Sequence, residues 1–306
     1  MTADAPVIAV DLGGTRMRAA VVAPSGRILD RVVQPTPRDA PCPEALLALL
    51  AEVRTGTGAT AAVIGVPGRV DYRAGRMEFA PNLPPTWAPS LAERPLSETL
   101  GLSVSLANDA DLATVGEYRF GAGRGYGDML YVTVSTGIGA GVILDGKLAH
   151  GRRSLAEAGH TIIDRLAAAR REPATLELLA SGSAIRAVAA GAGRSGPELV
   201  ESAGAGDAEA LRLWRTVAET AAFGVASLAH LFSPEVIVVG GGVGLTGVLI
   251  EPIRTALERH GPRGLAHPIE VVVASLGDDS GLIGAAGWAD TFVPGAGPDR
   301  AVQPVA

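Results

Sequence analysis

The chain has 306 residues, a formal net charge of −6 and a hydrophobic fraction of 47%. This length is sufficient for two lobes with separate cores. The acidic charge gives no electrostatic reason to expect nucleic acid as a partner. No apolar run reaches the roughly 18 to 20 residues that a membrane-spanning helix needs, so no membrane association is expected.

Cysteine content and the opening residues indicate the compartment. The single cysteine, Cys42, can form no internal disulfide and no zinc site by itself. The opening residues MTADAP hold neither the basic region nor the apolar run of a secretory signal, so a cytoplasmic protein is expected. The chain has 40 glycines and only 4% aromatic residues, and Gly-rich turns between Val/Ile/Ala-rich strands favour an α/β enzyme.

The first half of the chain predicts a hairpin followed by alternating helices and strands. Residues 7–22 are predicted as strand, tight Gly-Gly turn and strand, with a third strand at 26–35. The further elements predicted in this half are a helix at 43–55, a buried strand at 61–66, a Pro-rich loop at 81–95, a short helix at 95–100, a strand at 103–107 and a helix after 108.

The second half begins with another hairpin. Residues 129–144 again show strand, Gly/Thr turn and strand, which we interpret as an internal duplication of architecture rather than of sequence. The remaining predictions are helices with Gly-rich breaks over 165–206, a long helix at 208–231, a strand at 235–239, a helix, a strand at 269–273, a last helix near 281–291 and a flexible Pro/Gly/Ala-rich tail at 294–306.

The two Gly-rich hairpin turns, at 11–15 and 135–141, are candidate phosphate-binding sites. Glycine amides approach phosphate oxygens closely because no Cβ blocks them, and a carboxylate at a strand end can hold Mg²⁺ through water. An ordinary hairpin turn explains each motif equally well, although two of them suggest a nucleotide held between two related lobes. The candidate residues are Asp11 (also for Mg²⁺), Gly13, Gly14, Thr15, Arg16, Thr136, Gly137 and Gly139.

A third Gly-rich segment, VIVVGGGVG at 236–244, predicts a strand that enters a helix through a glycine triplet. A base or ribose could lie against the backbone of Gly241 and Gly242. The spacing does not match G-x-G-x-x-G, and no acidic residue about 20 positions on lies in a βαβ context. A dinucleotide site is therefore not expected.

Asn108 and Asp109 follow a predicted strand, where ligands of open α/β sheets gather. A carboxylate at this place can accept the proton of a hydroxyl during phosphoryl transfer. The alternative is a helix N-cap, for which Asn and Asp are preferred, and for this pair considered alone the cap is favoured.

Further polar residues suit a polyhydroxylated ligand, because carboxylates, imidazoles and amides all bond to hydroxyls. These residues are Glu157 and His160 in the EAGH segment, Glu177 downstream and Asn82 in the PNLP segment. Each of them, considered singly, is more simply explained as a solvated surface residue.

In their order along the chain, these segments resemble the ROK family of bacterial sugar kinases and sugar-responsive repressors. The motifs, between about residues 7 and 290, are DLGGT at 11–15, GVPG at 65–68, PNLP at 81–84, ND at 108–109, STGIGAG at 135–141, EAGH at 157–160 and VVGGGVG at 238–244. Several motifs in the right order are far more specific than any one of them.

The resemblance implies an actin-like (ribonuclease H-like) α/β ATPase fold, with two lobes and a sugar in the central cleft. The expected lobes are 1–110 with about 281–293, and 111–280. Asp109 would be the general base, and Mg²⁺ and ATP would be held by the two hairpins and the Gly241–Gly242 segment. The implied sugar contacts are Gly68, Asn82, Asn108, Asp109, Glu157, His160 and Glu177.

One segment departs from the family pattern. Most members carry a zinc loop, C-x-C-G-x-x-G-C, after the Gly-His motif, and His160 would supply the fourth ligand. Residues 164–174, DRLAAARREPA, hold no cysteine, and thiolates dominate structural zinc sites. We predict no structural zinc and a loop fixed by helix formation or by ion pairs. The placement of Glu177 depends on this loop.

The leading hypothesis is a hexokinase-type enzyme that moves the γ-phosphoryl group of ATP to glucose at O6. Fructose, mannose, allose and N-acetylmannosamine are alternative substrates. Family repressors carry an additional amino-terminal helix-turn-helix, whereas the first strand is predicted to begin near Val7. A catalytically silent sugar-binding regulator is a further alternative, because the zinc cysteines are absent. A homodimer is expected by family analogy alone.

Overall fold

The computed structural model describes residues 5–53, 56–155 and 157–292. Within them the strands are β1 (Val7–Leu12), β2 (Arg16–Val22), β3 (Ile28–Pro35), β4 (Ala61–Val66), β5 (Arg69–Asp71), β6 (Arg76–Phe79), β7 (Ser103–Asn108), β8 (Met129–Val134), β9 (Ile138–Leu144), β10 (Lys147–Leu148), β11 (Val236–Gly240) and β12 (Glu270–Val273). The α-helices are α1 (Cys42–Val53), α2 (Glu93–Leu100), α3 (Asp109–Phe120), α4 (Arg165–Ala169), α5 (Leu176–Ala180), α6 (Gly182–Gly191), α7 (Gly196–Gly204), α8 (Ala208–Phe232), α9 (Gly241–Gly244), α10 (Ile250–His260) and α11 (Ser280–Thr291).

The two large sheets have the same topology. In the first, with order β3-β2-β1-β4-β7, β1 pairs antiparallel with β2 and parallel with β4, and β4 pairs parallel with β7. In the second, with order β10-β9-β8-β11-β12, β8 pairs antiparallel with β9 and parallel with β11, and β11 pairs parallel with β12. The predicted duplication of architecture is confirmed.

Most predicted elements are present with boundaries shifted by one or two residues. The Pro-rich loop predicted over 81–95 is corrected at its end, because α2 begins at Glu93 rather than at 95. The short strands β5, β6 and β10 were not predicted, since two to four residues are too few for a period-2 pattern. The predicted tail at 294–306, residue 293, and residues 54 and 55 of the first predicted helix lie outside the described residues.

Helices α3 and α11 lie between the two sheets. A buried cluster joins one face of each sheet to both helices, and includes Ala9, Tyr131, Leu112 and Trp288. The helices cross at two glycines so closely that a Cβ on Gly284 would lie 1.9 Å from the Leu112 carbonyl oxygen. Only glycine permits this backbone approach.

The carboxyl ends of the parallel strands from both sheets meet around one cleft. Asp11 lies in β1, Gly68 follows β4, and Asn108 ends β7. From the second sheet, the turn after β8 and the glycines after β11 reach the same region, and cavities described below join the residues of both groups. This convergence is the general ligand position of open α/β sheets.

None of the described helices combines the length and the apolar character that crossing a bilayer requires.

Candidate active site

Two cavities of the cleft meet at Asp109. Cavity A has a volume of about 390 Å³ and cavity B a volume of about 250 Å³, and Asp109 borders both. Every predicted sugar contact borders cavity A: Gly68, Asn82, Asn108, Asp109, Glu157, His160 and Glu177. Of the residues predicted to bind nucleotide, Asp11, Gly241 and Gly242 border cavity B. A carboxylate thus stands where two ligands would meet.

Asp109 is the first residue of α3 and keeps solvent contact through the cleft. Desolvation by the surrounding protein, with the charges of Asp11 and Asp111, raises the pKa of its carboxyl to about 7, against hydrogen bonds from the backbone amides of Ala110 and of Asp109 itself. A base with a pKa near neutrality is well matched to proton transfer at physiological pH.

Asn108 caps helix α3. Its Oδ1 accepts hydrogen bonds from the amides of Ala110 and Asp111 at 2.9 and 3.1 Å, and its Nδ2 donates to the Gly68 carbonyl at 2.9 Å. The capping interpretation is therefore confirmed for Asn108, while its place on cavity A leaves a second amide hydrogen for a ligand.

A buried carboxylate supports this segment from behind. Asp111 is 1% exposed and accepts hydrogen bonds from the hydroxyls of Tyr72 at 2.5 Å and Ser154 at 3.1 Å. Desolvation raises the pKa of Asp111 to about 6, and these two hydrogen bonds oppose that rise. The Tyr72 hydroxyl also accepts from the amide of Asn108 at 3.1 Å. These linked hydrogen bonds thereby fix the backbone that carries Asp109.

The two walls of cavity A are tied together. The Arg152 guanidinium pairs with the fully buried Asp71 carboxylate at 2.7 Å, and Arg153 pairs with Glu78. These contacts join the β5–β6 hairpin, which forms a separate two-stranded sheet, to the segment after β10 of the second sheet. Because a buried carboxylate without its partner is costly, Arg152 is a structural requirement for the cavity.

The segment without zinc cysteines is ordered by other means. Asp164 caps α4 by accepting from the amides of Leu166 and Ala167 at 2.9 Å, and Arg170 pairs with Glu172 at 2.8 Å. Helix formation and ion pairing, which the sequence predicts as alternatives, are both observed. Downstream, Glu177 Oε2 accepts from the Ile138 amide at 2.9 Å and borders cavity A.

Glu157 and His160 lie at the more open side of cavity A. His160 Nε2 is 3.6 Å from Glu157 Oε2, and the two side chains are 66% and 41% exposed. Among the described residues, no group of three or more His, Cys, Asp and Glu side chains is arranged to hold a metal ion.

Absence of structural zinc remains a prediction and is tested by elemental analysis. Protein purified without chelators and measured by plasma mass spectrometry is expected to hold well under 0.1 zinc per chain, since the usual thiolate ligands are missing. Stoichiometric zinc, retained after dialysis against a weak chelator, would show that another ligand set replaces the cysteines.

Cavity B has glycine walls. A Cβ on Gly242 would have only Ser135 Oγ within 4 Å, at 3.9 Å, and one on Gly281 only the Asp109 carbonyl oxygen, also at 3.9 Å. A side chain at either position would thus project into the cavity. Glycine leaves this space free for a ligand that lies against the backbone. Hydroxyls of Thr133, Ser135 and Ser280 also border it. This donor set fits a nucleotide.

Buried Glu117 of α3 holds one edge of cavity B. Its carboxylate accepts hydrogen bonds from the amides of Ala122, Ser275 and Leu276, and from the Ser280 hydroxyl at 2.8 Å. It is fully buried. The carboxylate thereby fixes the start of α11, from which the cavity-lining residues project.

Of the residues predicted to bind phosphate in the first hairpin, Asp11 alone borders a cavity, namely cavity B. Gly13, Gly14, Thr15 and Arg16 border neither cavity, and a Cβ on Gly14 would lie 2.4 Å from the Asn82 carbonyl oxygen. In the second hairpin, the predicted nucleotide ligands border cavity A instead of cavity B: Thr136, Gly137 and Gly139. Phosphate binding by these seven residues stays a prediction.

Sequence reasoning gave no role to several residues that border the cavities: Arg69, Phe79, Ser154, Thr133, Asp278, Ser280 and Gly281. Most belong to segments whose distance along the chain hides their proximity. Arg18 is different, because the sequence already indicates its positive charge near the DLGGT turn, and a hairpin with the turn at Gly13–Thr15 places it directly opposite Asp11. That register could have been counted from the sequence.

The two duplicated sheets, the cleft and its two cavities define an α/β, actin-like ATPase fold with two lobes. Residues 7–291 match the family model of the ROK family, and the chain belongs to that family.

Three relatives illustrate its range. The glucokinase of Streptomyces coelicolor is 33% identical, over 91% of this chain and 96% of that protein. The bifunctional enzyme NanE/NanK of Brucella melitensis is 37% identical over 94% of this chain, which spans only 54% of that protein. The structure of a ROK family glucokinase from Streptomyces griseus in complex with glucose and AMPPNP is 34% identical, with a TM-score of 0.74, covering 92% of this chain and 98% of that one.

Proposed function

We propose that this chain transfers the γ-phosphoryl group of ATP to a hexose, with glucose phosphorylated at O6 as the leading case. The chain is a sugar kinase, as its family and its glucokinase relatives indicate. The observation that carries the proposal is the position of Asp109 between a polar cavity A and a glycine-walled cavity B.

In this proposal the sugar lies in cavity A and ATP in cavity B. Asp109 accepts the proton of the attacking sugar hydroxyl, whose oxygen forms the new bond to the γ-phosphorus as the bond to the ADP oxygen breaks. Asn82, Asn108, Glu157, His160 and Glu177, with the Gly68 backbone, orient the other hydroxyls. Mg²⁺, when bound near Asp11, would supply charge neutralisation for the phosphates.

The sugar is tested with a panel of hexoses in a coupled assay of ADP release. Glucose is expected to give the highest kcat/KM, with mannose, fructose, allose and N-acetylmannosamine as the other members of the panel. A preference for N-acetylmannosamine would make that amino sugar the proposed substrate instead of glucose. No ADP release with any sugar would overturn the kinase proposal for this panel.

The raised pKa of Asp109 predicts the pH dependence of the reaction. Since the base must be ionised, kcat/KM should fall about tenfold per pH unit below pH 7 and reach a plateau above it. At pH 6 we expect about one-tenth of the plateau value. Initial rates at subsaturating sugar, from pH 5.5 to 8.5, measure this dependence, and an acid limb near pH 4 would contradict it.

The matched control for this profile is His160→Gln. Histidine as a residue type changes charge in the same pH range, and His160 borders the same cavity. If Asp109 causes the acid limb, the variant keeps the limb near pH 7 even where its KM for the sugar rises. Loss of the limb in the variant would assign it to the imidazole instead.

Lobe boundaries of 1–110 with about 281–293, and of 111–280, remain part of the proposal. Their support is the packing of α11 on the first sheet and of α3 on the second. A cytoplasmic homodimer that binds neither membrane nor nucleic acid is likewise proposed, the dimer by family analogy. Apolar side chains that are more than half exposed near α4 and α5, Ile162, Leu166 and Leu178, are compatible with a protein contact.

A further inference from the structure

We propose that Arg18, rather than Arg16, neutralises and orients the polyphosphate of the nucleotide, and that it exchanges its bond to Asp11 for bonds to phosphate oxygens. The inference rests on the proposed function, because it assigns a role within cavity B. It differs from the role that the sequence predicts for Arg16, the residue that directly follows the DLGGT turn.

The charged side chains that border cavity B are mostly acidic. Asp11, Asp109 and Asp278 border this cavity, and among the described residues that line it Arg18 is the only basic one. A nucleotide polyphosphate adds several negative charges within a few ångströms of these carboxylates. Like charges at such distances repel one another strongly in a poorly solvated cleft. A fixed cation is therefore required at this place.

Hydrogen bonds hold the Arg18 guanidinium in a position from which it can bind phosphate. It stands in β2 directly opposite Asp11, whose Oδ2 accepts from Arg18 Nε at 2.9 Å and pairs with Nη2 at 2.8 Å. Its Nη1 donates to the Asp278 carbonyl at 2.9 Å. A strand residue with a bound guanidinium loses little conformational freedom on meeting phosphate, and its planar fork matches two phosphate oxygens.

The neighbouring charges allow the exchange. Asp279 has Arg31 as a partner at 3.2 Å, and Arg18 Nη1 is only a distant second one at 3.6 Å. The Arg18 side chain is 19% exposed and that of Asp11 is 29% exposed, so both can be reached from the cavity. When the guanidinium turns to phosphate, the Asp11 carboxylate becomes available to a cation.

Arg16 does not meet these conditions. It is exposed, it borders neither cavity, and its backbone pairs with Pro35 of β3. Arg31 offers a matched comparison, because it also pairs with Asp279 but lies outside the lining of cavity B. A comparison of these three arginines of β2 and β3 therefore separates the effect of lining cavity B from the effect of lying near it.

The experiment is calorimetric titration of ADP, with and without Mg²⁺, into the full-length wild-type protein and into Arg18→Gln, Arg16→Gln and Arg31→Gln. We expect Arg18→Gln to weaken ADP binding about 10- to 100-fold, the effect of losing charged hydrogen bonds. The other two variants should stay within about twofold. Equal ADP affinity of Arg18→Gln and wild type, or an equal loss in Arg16→Gln, would overturn the proposal.

Circular dichroism and Tm verify that each variant is folded. If Arg18→Gln does not fold, Arg18→Lys keeps a charge opposite Asp11 but loses the planar fork. That variant should bind ADP about threefold to tenfold more weakly, and unchanged affinity would overturn the orienting role. Failure of the wild type to phosphorylate any hexose would count against the proposed function, while the ADP comparison would still decide the role of Arg18.

Discussion

Asp109→Asn is expected to lower kcat by about 10²- to 10⁴-fold while sugar affinity stays within about threefold. Asparagine keeps the size and the hydrogen bond to the Ala110 amide, but it cannot take the proton of the attacking hydroxyl. Quenched-flow or coupled measurements give kcat, and calorimetric titration gives the affinity for glucose. Turnover equal to that of the wild type would remove Asp109 from the role of base.

The matched control is Asp30→Asn, which makes the same chemical change on an exposed residue of β3. It should leave kcat and sugar affinity unchanged. The same comparison separates an enzyme from a catalytically silent sugar-binding regulator. A regulator would show sugar binding in all three proteins and no turnover in any of them.

Gly284→Ala is expected to destabilise the fold by about 3 kcal/mol or more, the upper range for an overpacked core. The added Cβ would lie 1.9 Å from the Leu112 carbonyl oxygen and 3.0 Å from the Gly116 amide nitrogen, so α3 and α11 would have to separate. A fall in Tm of several degrees, or insoluble protein, is the expected observation in a thermal scan. Gly116→Ala, whose Cβ would lie 2.1 Å from the Ser280 carbonyl oxygen, should behave alike.

Gly191→Ala is the control for these helical glycines. Gly191 ends α6, and a Cβ there would meet no heavy atom within 4 Å. Alanine has the higher helix propensity, so Tm should stay the same or rise slightly. If all three substitutions left Tm unchanged, the close contact between α3 and α11 would not explain why glycine is needed at the crossing.

The elements that the sequence predicts well have strong local patterns. Strand β4, AAVIGV, is buried at every position, and its continuous apolar run is typical of a parallel strand covered on both faces. Helix α8, 25 residues long, was predicted almost to its last residue. The hairpin β5–β6 was not predicted, because its strands are short and one wall of the cleft, rather than a local pattern, holds them in place.

The sequence predicts those residues of the candidate site that belong to a motif and also border a cavity. Asp109 and Asn82 are of this kind. Asp111 and Glu117 are different, since each looks like a surface carboxylate of an exposed helix but is fully buried. Their donors come from distant segments, such as Ser154 and Ser280, and no spacing along the chain indicates that they meet.

The way in which α4 is ordered has a consequence for the conditions that the protein tolerates. The segment that precedes Glu177 is ordered by Asp164 and the Arg170–Glu172 pair, and these contacts offer no thiolate for peroxide to attack. Burial raises the pKa of Cys42 to about 12, which keeps its sulfur protonated and unreactive. Peroxide should therefore leave this segment intact, and the predicted absence of zinc implies that chelators do so as well, whereas high salt, which screens the exposed pair, should loosen it slightly.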